Sequence, residues 1–235
     1  MHEYDRFYRE ELYPFQDGIL SIVKDSGTDF YLTGGTALSR GHYNHRYSDD
    51  LDFFVNRSET YKQQVRTVFS LLDTYSADLR YTIDYSKVRT LDAYTQVFLE
   101  KKSEHPFSLK IDLINDSVPN FGEIMTNPIL GRIDSERNIL SNKLSALFRY
   151  EPKDYVDILF IAKHNSFYWP EIIEEAKQKE YSLEPTVLHD LFLDFPVNEL
   201  SHIRWVREPD PESIKKDLSV IGKDIFFGRE NTLYR

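Results

Sequence analysis

Gly34-Gly35-Thr36-Ala37-Leu38, followed shortly by Arg46-Tyr47-Ser48-Asp49-Asp50-Leu51-Asp52-Phe53-Phe54, is where the chain declares its architecture. Tyr31-Leu32-Thr33 reads as the end of a short strand. Two glycines then let the backbone turn tightly and approach a ligand with no side chain in the way. Thr36 to Arg40 can start a helix, whose first N–H groups are unpaired and positively polarised and so form a seat for phosphate. Thr36 or Ser39 can add a hydroxyl.

The acidic half rests on period two. Asp50 and Asp52 project to one face of a strand, while Leu51 and Phe53 turn to the other. Side-by-side carboxylates repel unless a cation sits between them, so the pair marks a hard-metal site, with Mg2+ the first expectation. A third carboxylate would complete a two-ion site. In Phe107-Ser108-Leu109-Lys110-Ile111-Asp112-Leu113-Ile114 the odd positions form an apolar face and leave Asp112 on the opposite one beside Lys110. A mid-strand aspartate is costly when buried unpaired, and a metal would remove that cost; a salt bridge with Lys110 is the competing reading. Arg46 and Ser48 either touch phosphate or brace the Asp loop.

Further on, Lys143 sits between Ile139 and Leu147 at the edge of an apolar helical stripe, where a lysine can run its stem along the core and deliver its ammonium to a triphosphate. Arg149, on an ideal helix, points elsewhere. Asp154 and Asp157 share a helix face and either hold Lys143 or Arg149, contact an acceptor, or cap and solvate the helix that Pro152 opens.

These residues carry a family resemblance. Gly34-Gly35-Thr36-Ala37-Leu38, Arg46, Ser48, Asp50-Leu51-Asp52-Phe53-Phe54, Lys143-Leu144, Arg149 and Lys153-Asp154-Tyr155-Val156-Asp157, in this order from Phe30 to about Ala162, resemble the AbiEii/AbiGii toxin family of the DNA polymerase β-like nucleotidyltransferase superfamily. The resemblance implies an α/β (α+β) fold, with a polymerase β-like core built on a mixed sheet and a helical C-terminal region. It also implies transfer of a nucleotide from an NTP to an acceptor hydroxyl, with transfer RNA as acceptor, and an antitoxin protein as partner. Carried over by position, Gly34, Gly35 and Thr36 match the phosphate-binding turn, Asp50 and Asp52 the metal pair, and Lys143 with Asp154 or Asp157 the later motifs. Lys153 stands where the family usually has arginine, a point charge in place of a fork-shaped donor. The expected site is therefore Asp50, Asp52, Asp112 and Lys143 for catalysis, the three aspartates for two magnesium ions, and Gly34, Gly35, Thr36, Arg46, Ser48, Lys143, Asp154 and Asp157 for the nucleotide. Three rival functions are a small-molecule nucleotidyltransferase of the aminoglycoside-modifying type, a kinase-like phosphotransferase and a non-catalytic binding protein.

Composition sets outer bounds. The 235 residues suit a catalytic unit with a helical extension, expected at 1–130 and 131–235. A formal charge of -10 excludes a uniformly basic surface, so an RNA acceptor must meet a local patch. Without cysteine there is neither a disulfide nor a thiolate zinc site, and the seven histidines form no ligand set. No long apolar run appears and Met1 to Arg6 lacks a signal-peptide pattern, so a cytoplasmic protein with no membrane partner is expected.

The spacing predicts helices over Glu3 to Lys24, Ser58 (as cap) to Leu72, from an Asp134 or Ser135 cap through Phe148, from Pro152, over Pro170 to Lys179 and over Pro185 to Phe192. Strands are predicted near Asp78 to Tyr85, Thr90 to Glu100 and Phe107 to Asn115, with a turn-rich passage between 116 and 134. His202-Ile203-Arg204-Trp205-Val206-Arg207 interleaves bases with an aromatic and either stacks on nucleic acid or packs on the core.

Overall fold

A computed structural model describes residues 3–234; Met1, His2 and Arg235, with that part of the signal-peptide expectation, lie outside the described residues. Two compact units result, Met1–His42 with Ser48–Asp134 and Tyr43–Tyr47 with Ser135–Arg235.

The first unit is built on a mixed sheet. In chain order come α1 (Glu3–Phe7), a π-helical turn, α2 (Tyr13–Asp25), β1 (Tyr31–Thr33), α3 (Gly34–Thr36), β2 (Leu51–Asn56), α4 (Tyr61–Tyr75), β3 (Tyr81–Ile83), β4 (Arg89–Thr90), β5 (Tyr94–Lys101), β6 (Phe107–Asp116), β7 (Met125–Asn127) and β8 (Gly131–Ile133). The strands lie in the order β3-β5-β6-β2-β1-β8-β7, with β4 on β5. β2 is parallel to β6 and antiparallel to β1. The period-two reading of β2 holds, since Leu51, Phe53 and Val55 are buried, Leu51 and Phe53 pair with the buried Ile111 and Leu113 of β6, and Ile111 and Leu109 of β6 pair in turn with the buried Val97 and Leu99 of β5. Apolar faces of α2 (Phe15, Ile19, Leu20, Val23) and α4 (Val65, Val68, Leu72) supply the rest of this core.

Two local expectations change, and a third is resolved between its two alternatives. The passage from 116 to 134 contains β7 and β8, and β8 pairs parallel with β1 at Leu32↔Ile133, so residues 131–134 belong to the sheet unit. α4 starts after Thr60, which makes no side-chain cap bond, while Ser58 instead accepts from Gln64 Nε2 through its hydroxyl. Asp134 does not cap; it accepts from Thr33 Oγ1 at 2.5 Å and from Asn120 Nδ2 at 2.8 Å, leaving Ser135 to accept from the Asn138 N–H.

The second unit is helical: α5 (Glu136–Ser145), a 3-10 turn at Leu147–Arg149, α6 (Pro152–His164), α7 (Trp169–Lys177), α8 (Pro185–Leu193) and α9 (Pro211–Phe226). Proline stands at the first or second position of α6, α7, α8 and α9, where its missing N–H costs nothing. α9 was absent from the sequence expectation although Ile214, Leu218, Ile221 and Ile225 bury one stripe of it. Trp205 is 3% exposed and donates from Nε1 to the Leu200 carbonyl, which decides the 202–207 segment for core packing over stacking on nucleic acid. Among the described residues, no helix is long and apolar enough to cross a membrane.

Candidate active site

The sheet unit gathers the acidic residues and the glycine turn. Asp52 and Asp112 stand opposite one another in the parallel β2–β6 register, and Asp50 precedes β2 on the same side. Lys110, two residues before Asp112 on β6, puts its Nζ 3.1 Å from Asp50 Oδ2 and 3.3 Å from Asp112 Oδ2. Burial works against this ammonium, but Asp50 and Asp112 outweigh it and raise its pKa above the ordinary lysine value. The other oxygen of Asp112 accepts from Tyr94 Oη and Gln96 Nε2, both at 3.0 Å. Tyr94 is in turn pushed up to about 12, by burial and then by the Asp112 charge.

The turn touches the same carboxylates. Gly34 has φ +66, and a Cβ there would lie 2.7 Å from Asp52 Oδ2, so both conformation and space demand glycine. The Thr36 hydroxyl donates to the Asp50 carbonyl at 2.5 Å and is buried, as is Ser39. That hydroxyl fixes the approach to β2. Gly35 lies between these two anchors in α3, which runs on into a π-helical segment at Ala37–Tyr43.

The Asp loop is held from α2. Gln16, fully buried, donates Nε2 to the carbonyls of Ser48 (3.3 Å) and Asp49 (2.9 Å) and accepts from Arg40 Nη1 at 3.0 Å. The Ser48 N–H donates to Tyr13 Oη at 3.3 Å, and Tyr8 Oη donates to Asp49. The Ser48 backbone thus takes part in bracing the Asp loop.

In the helical unit a second charged cluster centres on Asp157, whose side chain has no exposed surface. It accepts from Arg46 Nε (2.8 Å) and Nη2 (2.7 Å) and from His45 Nε2 (2.9 Å), and lies 2.8 Å from Lys143 Nζ. Burial alone would raise its pKa; Arg46 and Lys143 hold it well below the usual carboxylate range. Lys143 also donates to Asp154 at 2.6 Å, and Arg149 Nη2 donates to the other Asp154 oxygen at 2.8 Å. Lys143 is therefore raised despite burial, by Asp157 and then Asp154. Arg149 does not point elsewhere: the α-helix ends at Ser145, and the 3-10 turn swings Arg149 onto the acid that Lys143 uses. Arg46 is buried and pairs with Asp157 and the Tyr47 carbonyl.

Sequence reasoning brought out the aspartates and Lys143 but not their supports, namely Tyr94, Gln96, Gln16 and His45. Lys110 was seen only as a neighbour of Asp112. Among the described residues, no group of three or more His, Asp or Glu is arranged to hold a metal as the side chains stand. The donor chemistry nevertheless fits a hard cation, because all three acidic groups are carboxylates and the Lys110 ammonium already occupies a cation's place between two of them.

Known structures of this shape exist. JHP933 from Helicobacter pylori aligns with a TM-score of 0.59 at 20% identity over 93% of each chain. MenT4, a nucleotidyltransferase toxin from Mycobacterium tuberculosis H37Rv, aligns with a TM-score of 0.57 at 15% identity, covering 93% of this chain and 86% of its own. These likenesses concern the fold, which is mixed α/β as the sequence implied. No curated protein sequence matches the chain. The family profile described as nucleotidyl transferase AbiEii toxin, type IV toxin–antitoxin system, matches residues 20–218, and the chain belongs to that family of nucleotidyltransferase toxins.

Proposed function

We propose that this nucleotidyltransferase is magnesium-dependent and transfers a nucleoside monophosphate from an NTP to a hydroxyl of transfer RNA, releasing pyrophosphate in the cytoplasm under the control of a cognate antitoxin protein. The observation that carries the reading is the pairing of Asp52 with Asp112 across β2 and β6, with the Gly34 backbone against the Asp52 carboxylate. Asp50, Asp52 and Asp112 would hold two magnesium ions. When bound, these neutralise the triphosphate and polarise the acceptor hydroxyl.

The chain's own residues do the rest. The Gly34-Gly35-Thr36 turn offers backbone N–H groups to phosphate, Thr36 fixes that turn to the Asp50 backbone, and Tyr94 and Gln96 aim Asp112. Asp112 is the group assigned to help remove the acceptor proton. Lys143, gripped by Asp154 and Asp157, is a fixed positive charge of the helical unit. Positioning and charge neutralisation account for the rate, with no covalent enzyme intermediate.

The test incubates the chain with total transfer RNA, magnesium and each α-labelled NTP in turn, with aminoglycosides as competing small acceptors. Label in transfer RNA and release of pyrophosphate are expected, both abolished by Asp52→Asn without loss of fold. Label on the small acceptors alone, or release of nucleoside diphosphate, would replace the reading by one of its rivals.

A further inference from the structure

The helical unit contains a cavity of about 310 Å³ lined by none of the residues assigned to the site above, which is large enough for a small ligand. Its walls include Tyr150, Tyr155 and Phe195, and two carboxylates, Asp190 and Asp194, stand on it. Its mouth faces water, since Tyr150 is 68% and Val187 39% exposed.

Tyr155 is the informative residue. It is 3% exposed, and its ring packs against Phe195 at 4.8 Å and Phe192 at 5.5 Å between centroids. Its ring is buried, and its hydroxyl, which makes no hydrogen bond among the described residues, opens onto the cavity. Burial, followed by the neighbouring Tyr150 and Asp154, pushes it up to about 12, so it stays protonated and can accept a hydrogen bond from a ligand. Tyr150 closes the 3-10 turn in a left-handed conformation (φ 56, ψ 32) that is uncommon for a residue with a side chain.

Three features select the sign of the ligand. Asp194 has no ion-pair partner among the described residues, and Asp190 has only His189, 2.8 Å from Nδ1 to Oδ1. α8 ends at Leu193 with Asp194 as its C-cap, so the negative end of that helix points at the same place. The aromatic faces favour a cation lying over them. An anion would meet two carboxylates and a helix C-terminus, and a neutral apolar ligand would leave the Tyr155 hydroxyl unpaired.

We propose that this cavity binds a compact organic cation, a guanidinium or primary ammonium on a short apolar stem, with the charge at Asp190 and Asp194, a donated hydrogen bond to Tyr155 Oη and the stem against Tyr150 and Phe195. Such a group arrives either on a free small amine or as a basic side chain of a partner polypeptide.

Calorimetric titration of the full chain at low salt uses N-butylguanidinium, its neutral counterpart N-butylurea, and a capped peptide with a single arginine. Saturable one-site binding of N-butylguanidinium is expected, with none by N-butylurea. Tyr155→Phe keeps the ring and should weaken binding about tenfold. Asp194→Asn, at an exposed position that leaves the core alone, should do the same. Tighter binding of the peptide than of N-butylguanidinium assigns the site to a polypeptide partner, and the reverse order to a free small cation. Failure of both cations to saturate, equal binding of N-butylurea, or unchanged affinity in both variants overturns the proposal.

Discussion

Arg46 grips Asp157 through two hydrogen bonds of 2.8 and 2.7 Å, although the residues are 111 positions apart and both side chains are buried. Tyr43–Tyr47 belongs to the helical unit, and this fork is one reason, together with the Tyr47 N–H donating to the Arg204 carbonyl and the Val206 N–H to His45. The short Tyr43–Tyr47 segment is thus tied to α6 within the helical unit.

Breaking the fork leaves a buried charge without its best partner. Asp157→Asn strands Arg46 and Lys143 together and should cost about 3 to 5 kcal/mol in urea unfolding. Arg46→Lys keeps the charge and loses the paired geometry, and should fall between that variant and wild type. Equal stability of wild type and Arg46→Lys would show that charge alone suffices.

His45 makes stability depend on pH. Burial lowers its pKa from the ordinary value of about 6.5, against the pull of Asp157. The fold therefore holds the ring neutral while the unfolded chain takes up a proton below about pH 6.5, so stability falls with pH from there until the folded pKa is reached. Asp157 has a depressed folded pKa. Its contribution is complete above the unfolded carboxylate value of about 3.9 and is lost as pH falls through the folded one. Urea midpoints against pH should show two declines, the upper removed by His45→Gln. Superimposable profiles between pH 7 and 5 would sink the assignment.

Much of this was legible because it is local. Alternation exposed β2 and β6, and with them Asp52 and Asp112 on one face; helical spacing exposed Lys143, Asp154 and Asp157. What escaped was long-range or short. Gln16 supports the Asp loop from α2, and His45 and Arg46 reach α6, contacts with no sequence period to announce them. β7 and β8 are three residues each and leave no alternation to detect. α9 is different: an Asp210 cap, Pro211 and a buried isoleucine–leucine stripe were all present and unread.

Gly34→Ala tests the close approach of the turn to Asp52. The left-handed conformation alone should cost about 1 to 2 kcal/mol. The new methyl would also meet Asp52 Oδ2 at 2.7 Å, forcing the carboxylate or the turn aside. A displacement of this kind should lower turnover about a hundredfold or more while the circular dichroism spectrum stays native. Wild-type turnover in this variant would remove the turn from the site.

Lys110→Met tests whether an internal cation competes with metal for the same oxygens. The ammonium contacts Asp50 and Asp112 while its side chain is 30% exposed, so the stem has room to swing outward when a divalent ion takes its place. Without it, two carboxylates on one sheet face lose their counter-charge, and the metal-free variant should unfold at lower urea than wild type. Magnesium should restore more stability to the variant than to wild type, and its affinity, read by calorimetry, should rise about tenfold because binding no longer displaces a cation. Unchanged magnesium affinity would mean that Lys110 holds Asp112 in place without guarding the metal position.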